Sequence, residues 1–211
     1  QNIIGESTYP FPDNSFRENG ASGVRVVGDT TIDNSIRGNF ISQNGGVGID
    51  LGDVSANPND PDDPDVGPNR LQNAPELAPD AYLTGSGLWT LLTVTFSVPT
   101  SPANATYPLL VDVYLADVDA EEGTDYLGTI SYGTADFAAG ALQRTFTIAN
   151  PVGIGDYIVA TATDSADNTS EFNSAAATVA PEPSSALLAL AAGATLVLQC
   201  RAKRRAAARG R

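Results

Sequence analysis

The chain has 211 residues, with 11 basic residues against 25 acidic ones, no histidine, no methionine and a single cysteine. The charge is segregated: six of the basic residues lie at Arg201 or beyond, and up to Cys200 five arginines face 25 acids, a net of −20. Such a body repels nucleic acid and anionic lipid. Without histidine there is no Ser-His-Asp triad, no Cys-His dyad and no imidazole-bound metal. Lone Cys200 excludes an internal disulfide, and the only lysine, Lys203, follows no glycine-rich loop. The absence of methionine and of an N-terminal secretion signal leads to the expectation of a fragment or processed product with sequence upstream.

In chain order, the first element is an internal repeat. Asn14-Ser-Phe-Arg-Glu-Asn-Gly-Ala-Ser-Gly-Val-Arg-Val26 aligns without gaps on Asn39-Phe-Ile-Ser-Gln-Asn-Gly-Gly-Val-Gly-Ile-Asp-Leu51, an offset of 25 residues. A period of 20 to 50 residues signals stacked units. Val24/Val26 and Ile49/Leu51 are expected to point inward on short strands that follow Asn-Gly turns. The segment Asn34-Ser-Ile-Arg-Gly-Asn-Phe-Ile-Ser-Gln-Asn-Gly-Gly-Val-Gly-Ile-Asp-Leu51 resembles the repeat of right-handed parallel β-helix proteins. The resemblance covers residues 1–52 and implies the last coils of a longer helix, since a few coils cannot bury a core alone. A small irregular β domain is the alternative.

Residues 53–81 change character. Asp53, Asn57, Asn59, Asp60, Asp62, Asp63 and Asp65 are interleaved with Pro58, Pro61, Pro64 and Pro68. Nothing apolar here can build a core, so a linker is expected. Leu71-Gln72-Asn73-Ala74-Pro75 is similar to the exit stretch of β-helix surface proteins. The seven Asp and Asn residues carry the oxygen chemistry that calcium takes, although glycine and glutamate fall in the wrong places for an EF-hand. A solvated acidic linker is the other reading. Asp117, Asp119, Glu121, Glu122 and Asp125 form a second, weaker cluster in an inter-strand loop.

Residues 82–179 read as short strands. Leu92, Val94, Phe96 and Val98 alternate with polar residues, as do Leu109, Val111, Val113 and Leu115. Tyr126–Tyr132, Leu142–Ile148 and Asp156–Thr163 add further strands, and Trp89 is expected to pack in their core. Six or seven strands suggest an antiparallel β-sandwich. The closing Asp156-Tyr-Ile-Val-Ala-Thr-Ala-Thr-Asp-Ser-Ala-Asp-Asn-Thr-Ser-Glu-Phe172 resembles the final hairpin of bacterial immunoglobulin-like modules. Asp164, Asp167, Asn168, Ser170 and Glu171 are read first as caps of that hairpin's own backbone.

Residues 180–211 begin with Pro181-Glu182-Pro183, continue as the apolar run Ala186–Leu198, and end in Arg201, Lys203, Arg204, Arg205, Arg209 and Arg211. The prolines end the preceding fold, the run suits one membrane helix, and the cations stay on the cytoplasmic side. The run is short for a span, which needs about 20 apolar residues, but flanking residues and snorkelling arginines extend it. This layout resembles the PEP-CTERM sorting signal of exported bacterial proteins. The resemblance implies recognition of Pro181, Glu182 and Pro183 by an exosortase-type membrane protease, and export to the cell envelope or beyond.

The sequence as a whole predicts an all-β, envelope-associated, non-catalytic structural or adhesive protein at the cell surface, with extracellular polysaccharide a candidate partner and calcium the candidate ion. The alternative is the C-terminal part of a β-helix polysaccharide lyase or hydrolase whose active site lies upstream. Hydrolysis would need two carboxylates about 5–10 Å apart. Asp29, Asp33 and Asp50 lie on the repeat, and Asp50 is expected to point outward into solvent.

Overall fold

The structure, a computed structural model, describes residues 2–5, 14–52, 56–85, 90–148 and 150–182. The described chain is all-β apart from one short helix and one short turn of Pro68–Leu71. Residues 1–180 fall in one compact unit and residues 181–211 in a second. The membrane helix, the basic tail, Pro183, Trp89 and Asp53 all lie outside the described residues. Among the described residues no helix is long and apolar enough to cross a membrane.

The N-terminal part makes two laps of chain. The first carries β1 (Asn2–Ile4), β2 (Ser15–Arg17) and β3 (Val24–Val26); the second carries β4 (Asn34–Ile36), β5 (Phe40–Ser42) and β6 (Ile49–Leu51). Each strand pairs in parallel with its counterpart one lap on: β1 with β4, β2 with β5, β3 with β6. Ser15 sits beside Phe40 and Val24 beside Ile49, which is the 25-residue offset of the repeat. Val24, Val26, Ile36, Ile41, Ile49 and Leu51 are buried together between the three pairs.

The repeated asparagines explain why the laps stack in this register. Asn14 Nδ2 donates to Asn39 Oδ1 (2.9 Å), and Asn19 Nδ2 donates to Asn44 Oδ1 (2.8 Å). Asn39 also donates to the carbonyl of Ile4 (2.7 Å), and Asn44 to that of Phe16 (3.0 Å). Identical amides one lap apart can each donate upward and accept from below, so they turn a sequence repeat into a ladder. The repeated Gly23 and Gly48 serve close approach. A Cβ on Gly23 would come within 2.8 Å of the Gly48 carbonyl oxygen, and one on Gly48 would meet the Phe172 ring at 3.0 Å.

The remaining strands are β7 (Glu76–Leu77), β8 (Asp80–Thr84), β9 (Thr90–Ser97), β10 (Leu109–Ala116), β11 (Gly123–Tyr132), β12 (Leu142–Ile148), β13 (Tyr157–Thr163) and β14 (Ala177–Pro181), with helix α1 at Thr134–Ala139. They form one continuous eight-stranded sheet in the order β11-β10-β13-β14-β8-β9-β12, with β7 beside β9. The two wings of this sheet share a core. Leu92, Val94 and Phe96 of one wing are buried in one cluster with Val111, Leu127 and Ile158 of the other. The Phe96 and Tyr132 rings lie 5.8 Å apart. Alternation along β9 places its buried face where the sequence pattern puts it, whereas β10 is buried on both faces, with Asp112 and Tyr114 covered as well as Val111 and Val113.

The segment expected to be an unpacked linker is packed, largely through amides, with Leu71 against the apolar cluster of the laps and Leu77 against that of the larger sheet. Within the described residues 56–81, Asp63, Asn69, Gln72 and Asn73 are buried. Asn59 exchanges two 2.9 Å bonds with the backbone of Ala74, and Asn73 bonds the backbone of Asp60 twice. Asn69, Arg70 and Leu71 take left-handed φ values of 46°, 59° and 52° in succession. Asn69 holds that shape because its buried amide bonds Asn34 and the carbonyl of Thr169.

Asn39→Ala leaves Asn14 and the Ile4 carbonyl without their partner inside the ladder. A loss of about 2 kcal/mol is expected, read by urea denaturation with an unchanged m-value.

Candidate functional site

In a parallel ladder, successive amides of one strand alternate between its two neighbours. The second lap uses one set of its N–H groups toward the first lap. The other set faces away, and side chains of the eight-stranded module receive it. Ile36 N donates to Thr169 Oγ1 (2.9 Å), Gly38 N to Tyr114 Oη (2.9 Å), and Gln43 N to Asp117 Oδ2 (3.2 Å). Asn44 N donates to Glu122 Oε2 (3.0 Å) and Leu51 N to Glu171 Oε1 (2.9 Å). At the start of the lap, Asp33 N reaches Asn168 Oδ1 (2.8 Å) and Asn34 N reaches Asn69 Oδ1 (3.1 Å).

Two further contacts lock this seam. Arg37 makes a bidentate pair with Asp112, Nε to Oδ2 at 2.7 Å and Nη2 to Oδ1 at 2.8 Å. Asp112 is fully buried, and Thr129 also donates to it. Phe172 packs against the apolar cluster of the laps and, edge-on, against Tyr114 at 5.5 Å.

Several residues expected to cap local turns or sit in solvent do something else. Asp164 does cap its own turn, accepting from Ala166 N and Asn168 N at 2.9 Å. Asn168 and Glu171 instead reach across to the laps. In the second acidic cluster, Asp117 and Glu122 are buried and bonded to the second lap, while Asp119 is exposed. The expectation of a solvated, outward Asp50 is corrected as well: its neighbours Ile49 and Leu51 do point inward, but Asp50 is only 6 % exposed. Ser22 donates to it at 3.0 Å and Arg25, its partner in the register, pairs with it at 3.2 Å. Both contacts fall on Oδ2, and Oδ1 is buried without a donor. A signal for the seam existed in the Asn168-Thr169-Ser170-Glu171-Phe172 run, whose polar groups exceed what one turn can use.

Apart from Asp53, which lies outside the described residues, the oxygen-bearing residues of the acidic segment separate into those with structural bonds and those that converge. Asn57 bonds the Leu51 carbonyl and Glu171, Asn59 bonds Ala74, and exposed Asp62 contributes its backbone carbonyl to Ser101 N and Asn104 Nδ2. Asp60, Asp63 and Asp65 come together, one carboxylate oxygen from each lying within 4.8 Å of the others. Asp63 Oδ2 accepts from Thr100 Oγ1 (2.8 Å), Gln72 Nε2 (3.1 Å) and Asn73 N (3.2 Å). Its Oδ1 and the Oδ1 of Asp60 are buried without a donor. Burial, with the charges of Asp65 and Asp60 adding to it, pushes the Asp63 carboxyl up to about 6. Burial and the charge of Asp60 raise Asp65 as well.

A cleft of about 600 Å³ opens beside the seam, with Val47, Ile49, Pro58, Pro75, Glu171 and Phe172 among its walls. Its buried carboxylate, Glu171, is already engaged by Leu51 and Asn57. Compared with family models, curated proteins and solved structures, the chain gives no match.

Two outcomes are expected of the seam. Arg37→Ala strands the buried Asp112 charge and should cost about 3–5 kcal/mol in chemical denaturation, whereas Arg37→Met combined with Asp112→Leu should recover most of that loss. The second outcome concerns pH. Burial raises the Glu122 and Glu171 carboxyls above the usual range, against the lowering effect of their amide donors. A raised carboxyl keeps its proton in the folded state where the unfolded chain has lost it, so stability falls as pH rises through that window. The melting temperature should therefore climb as pH is lowered from 7 toward about 5. A steady decline from pH 7 downward would contradict the assignment.

Proposed function

We propose that this chain is an exported, envelope-associated structural or adhesive surface protein without catalytic activity. In this reading the two laps are terminal coils of a right-handed parallel β-helix. The eight-stranded module is an immunoglobulin-like sandwich that closes the helix, and residues 180–211 are a PEP-CTERM sorting signal.

The observation that carries the proposal is the seam. The outward amides Asp33, Asn34, Ile36, Gly38, Gln43, Asn44 and Leu51, which a further coil would engage, are engaged by side chains instead. A solenoid needs a terminal cap with a different outer face, and an open strand edge invites edge-to-edge aggregation unless covered. Covering that edge is the work of a stalk's end piece.

The export part of the proposal rests on the tail. Pro181 is the last residue of β14 and is exposed, so the tripeptide begins at the end of the final strand. A membrane protease of the exosortase type would recognise the tripeptide, with the apolar run held in the bilayer and extracellular polysaccharide as the display environment.

Intact mass and fractionation in the native host test this reading. Wild-type protein should lose its tail and appear in the envelope or outside the cell, while Glu182→Ala with Pro183→Ala should retain the tail. A full-length product in the cytoplasm would sink the proposal.

A further inference from the structure

The corner formed by Asp60, Asp63 and Asp65 has a charge and hydrogen-bond imbalance that the protein does not itself resolve. Asp63 is 5 % exposed, and every donor that reaches it goes to Oδ2. Its Oδ1, and that of Asp60, are buried acceptors with no donor. Buried carboxylate oxygens are ordinarily hydrogen-bonded, paired or bound to metal. Here no arginine or lysine is paired with any of the three among the described ion pairs.

We propose that Asp60, Asp63 and Asp65 bind one calcium ion, which fastens the acidic segment to the eight-stranded module. The donor set is all oxygen and triply anionic, which selects a hard divalent cation over a soft or monovalent one. Oxygens on one calcium at about 2.3–2.6 Å can stand up to about 5 Å apart, whereas magnesium at about 2.1 Å draws them within about 4.2 Å. The three oxygens lie within 4.8 Å of one another, inside calcium's reach, and calcium's adaptable shell of six to eight oxygens accepts a mixed protein and water corner that magnesium's strict octahedron does not. Asp65 is exposed and opens the corner to solvent, which supplies both an entry path and the water ligands that complete the shell.

The ion would hold elements that already converge. Asp63 is bonded to Thr100, Asp62 bridges to Thr100 and Ser101, and Asn73 ties Asp60 to the Pro99 carbonyl. All of these join the acidic segment to the connection between β9 and β10. The site stands on these contacts alone and is independent of the export reading.

The test is thermal unfolding of the full chain after EDTA treatment, with calcium chloride or magnesium chloride added to about 10 mM, some tenfold or more above the Kd of extracellular calcium modules. Calcium should raise the melting temperature by about 3 °C or more, and magnesium by clearly less. Asp65→Asn changes an exposed side chain and leaves the Asp63 bonds intact. It should melt in EDTA no lower than wild type and should lose the calcium response. Asp119→Asn, a distant exposed carboxylate, should keep that response. The proposal is overturned if calcium gives no rise, if magnesium matches it, or if the rise persists in Asp65→Asn.

Discussion

The row of amide N–H groups on the far side of the second lap is the constraint on which the rest of the structure depends. A parallel strand has two hydrogen-bonding edges, and a buried edge without partners costs on the order of 1–3 kcal/mol for each group left unmade. Seven such donors, from Asp33 to Leu51, find acceptors on Asn69, Asn168, Thr169, Tyr114, Asp117, Glu122 and Glu171. These acceptors come from the acidic segment, from β10, from the β10–β11 connection and from the chain after β13. The seam therefore dictates where four separated stretches of sequence must meet. It also accounts for acidic residues buried in a chain that has few cations: most of those carboxylates answer backbone amides, and Asp112 takes Arg37.

Much of this was legible in the residues. The 25-residue repeat gave the register of β2 on β5 and β3 on β6, because the same amides and glycines recur where the laps must touch. The alternating runs placed β9, β10, β12 and β13 to within a residue or two. Helix α1 was missed, since Thr134–Ala139 is too short to show a helical period. The seam was missed for a different reason. Asp, Asn and Thr after a strand have a local use as turn caps, and sequence alone does not distinguish a side chain bonding its own turn from one bonding a strand more than a hundred residues away. Asp164 does the first and Glu171 the second.

The acidic segment shows the same limit from the other side. Its proline and asparagine content argues against an apolar core of its own, and among its described residues Leu71 and Leu77 pack instead on the clusters of the laps and of the larger sheet. What the composition does not display is that paired amides can bury a segment by satisfying each other, as Asn59 does with Ala74 and Asn73 with Asp60. Asn57 and Asn59 are committed to such bonds, and among the described residues of the set Asp60, Asp63 and Asp65 are the ones whose carboxylates converge. Only the fold makes that selection, because it brings the three carboxylates together and leaves Asp60 Oδ1 and Asp63 Oδ1 buried there without a donor.

The central claim is that the laps and the eight-stranded module fold as one cooperative unit because the seam joins them. Native-state hydrogen exchange at the Ile36, Gly38, Asn44 and Leu51 amides, compared with the core amides of β10 and β13, measures this most directly. The account predicts that these lap amides open with a free energy close to that of the module core. Exchange of the lap amides at much lower free energy, while β10 and β13 remain protected, would contradict it.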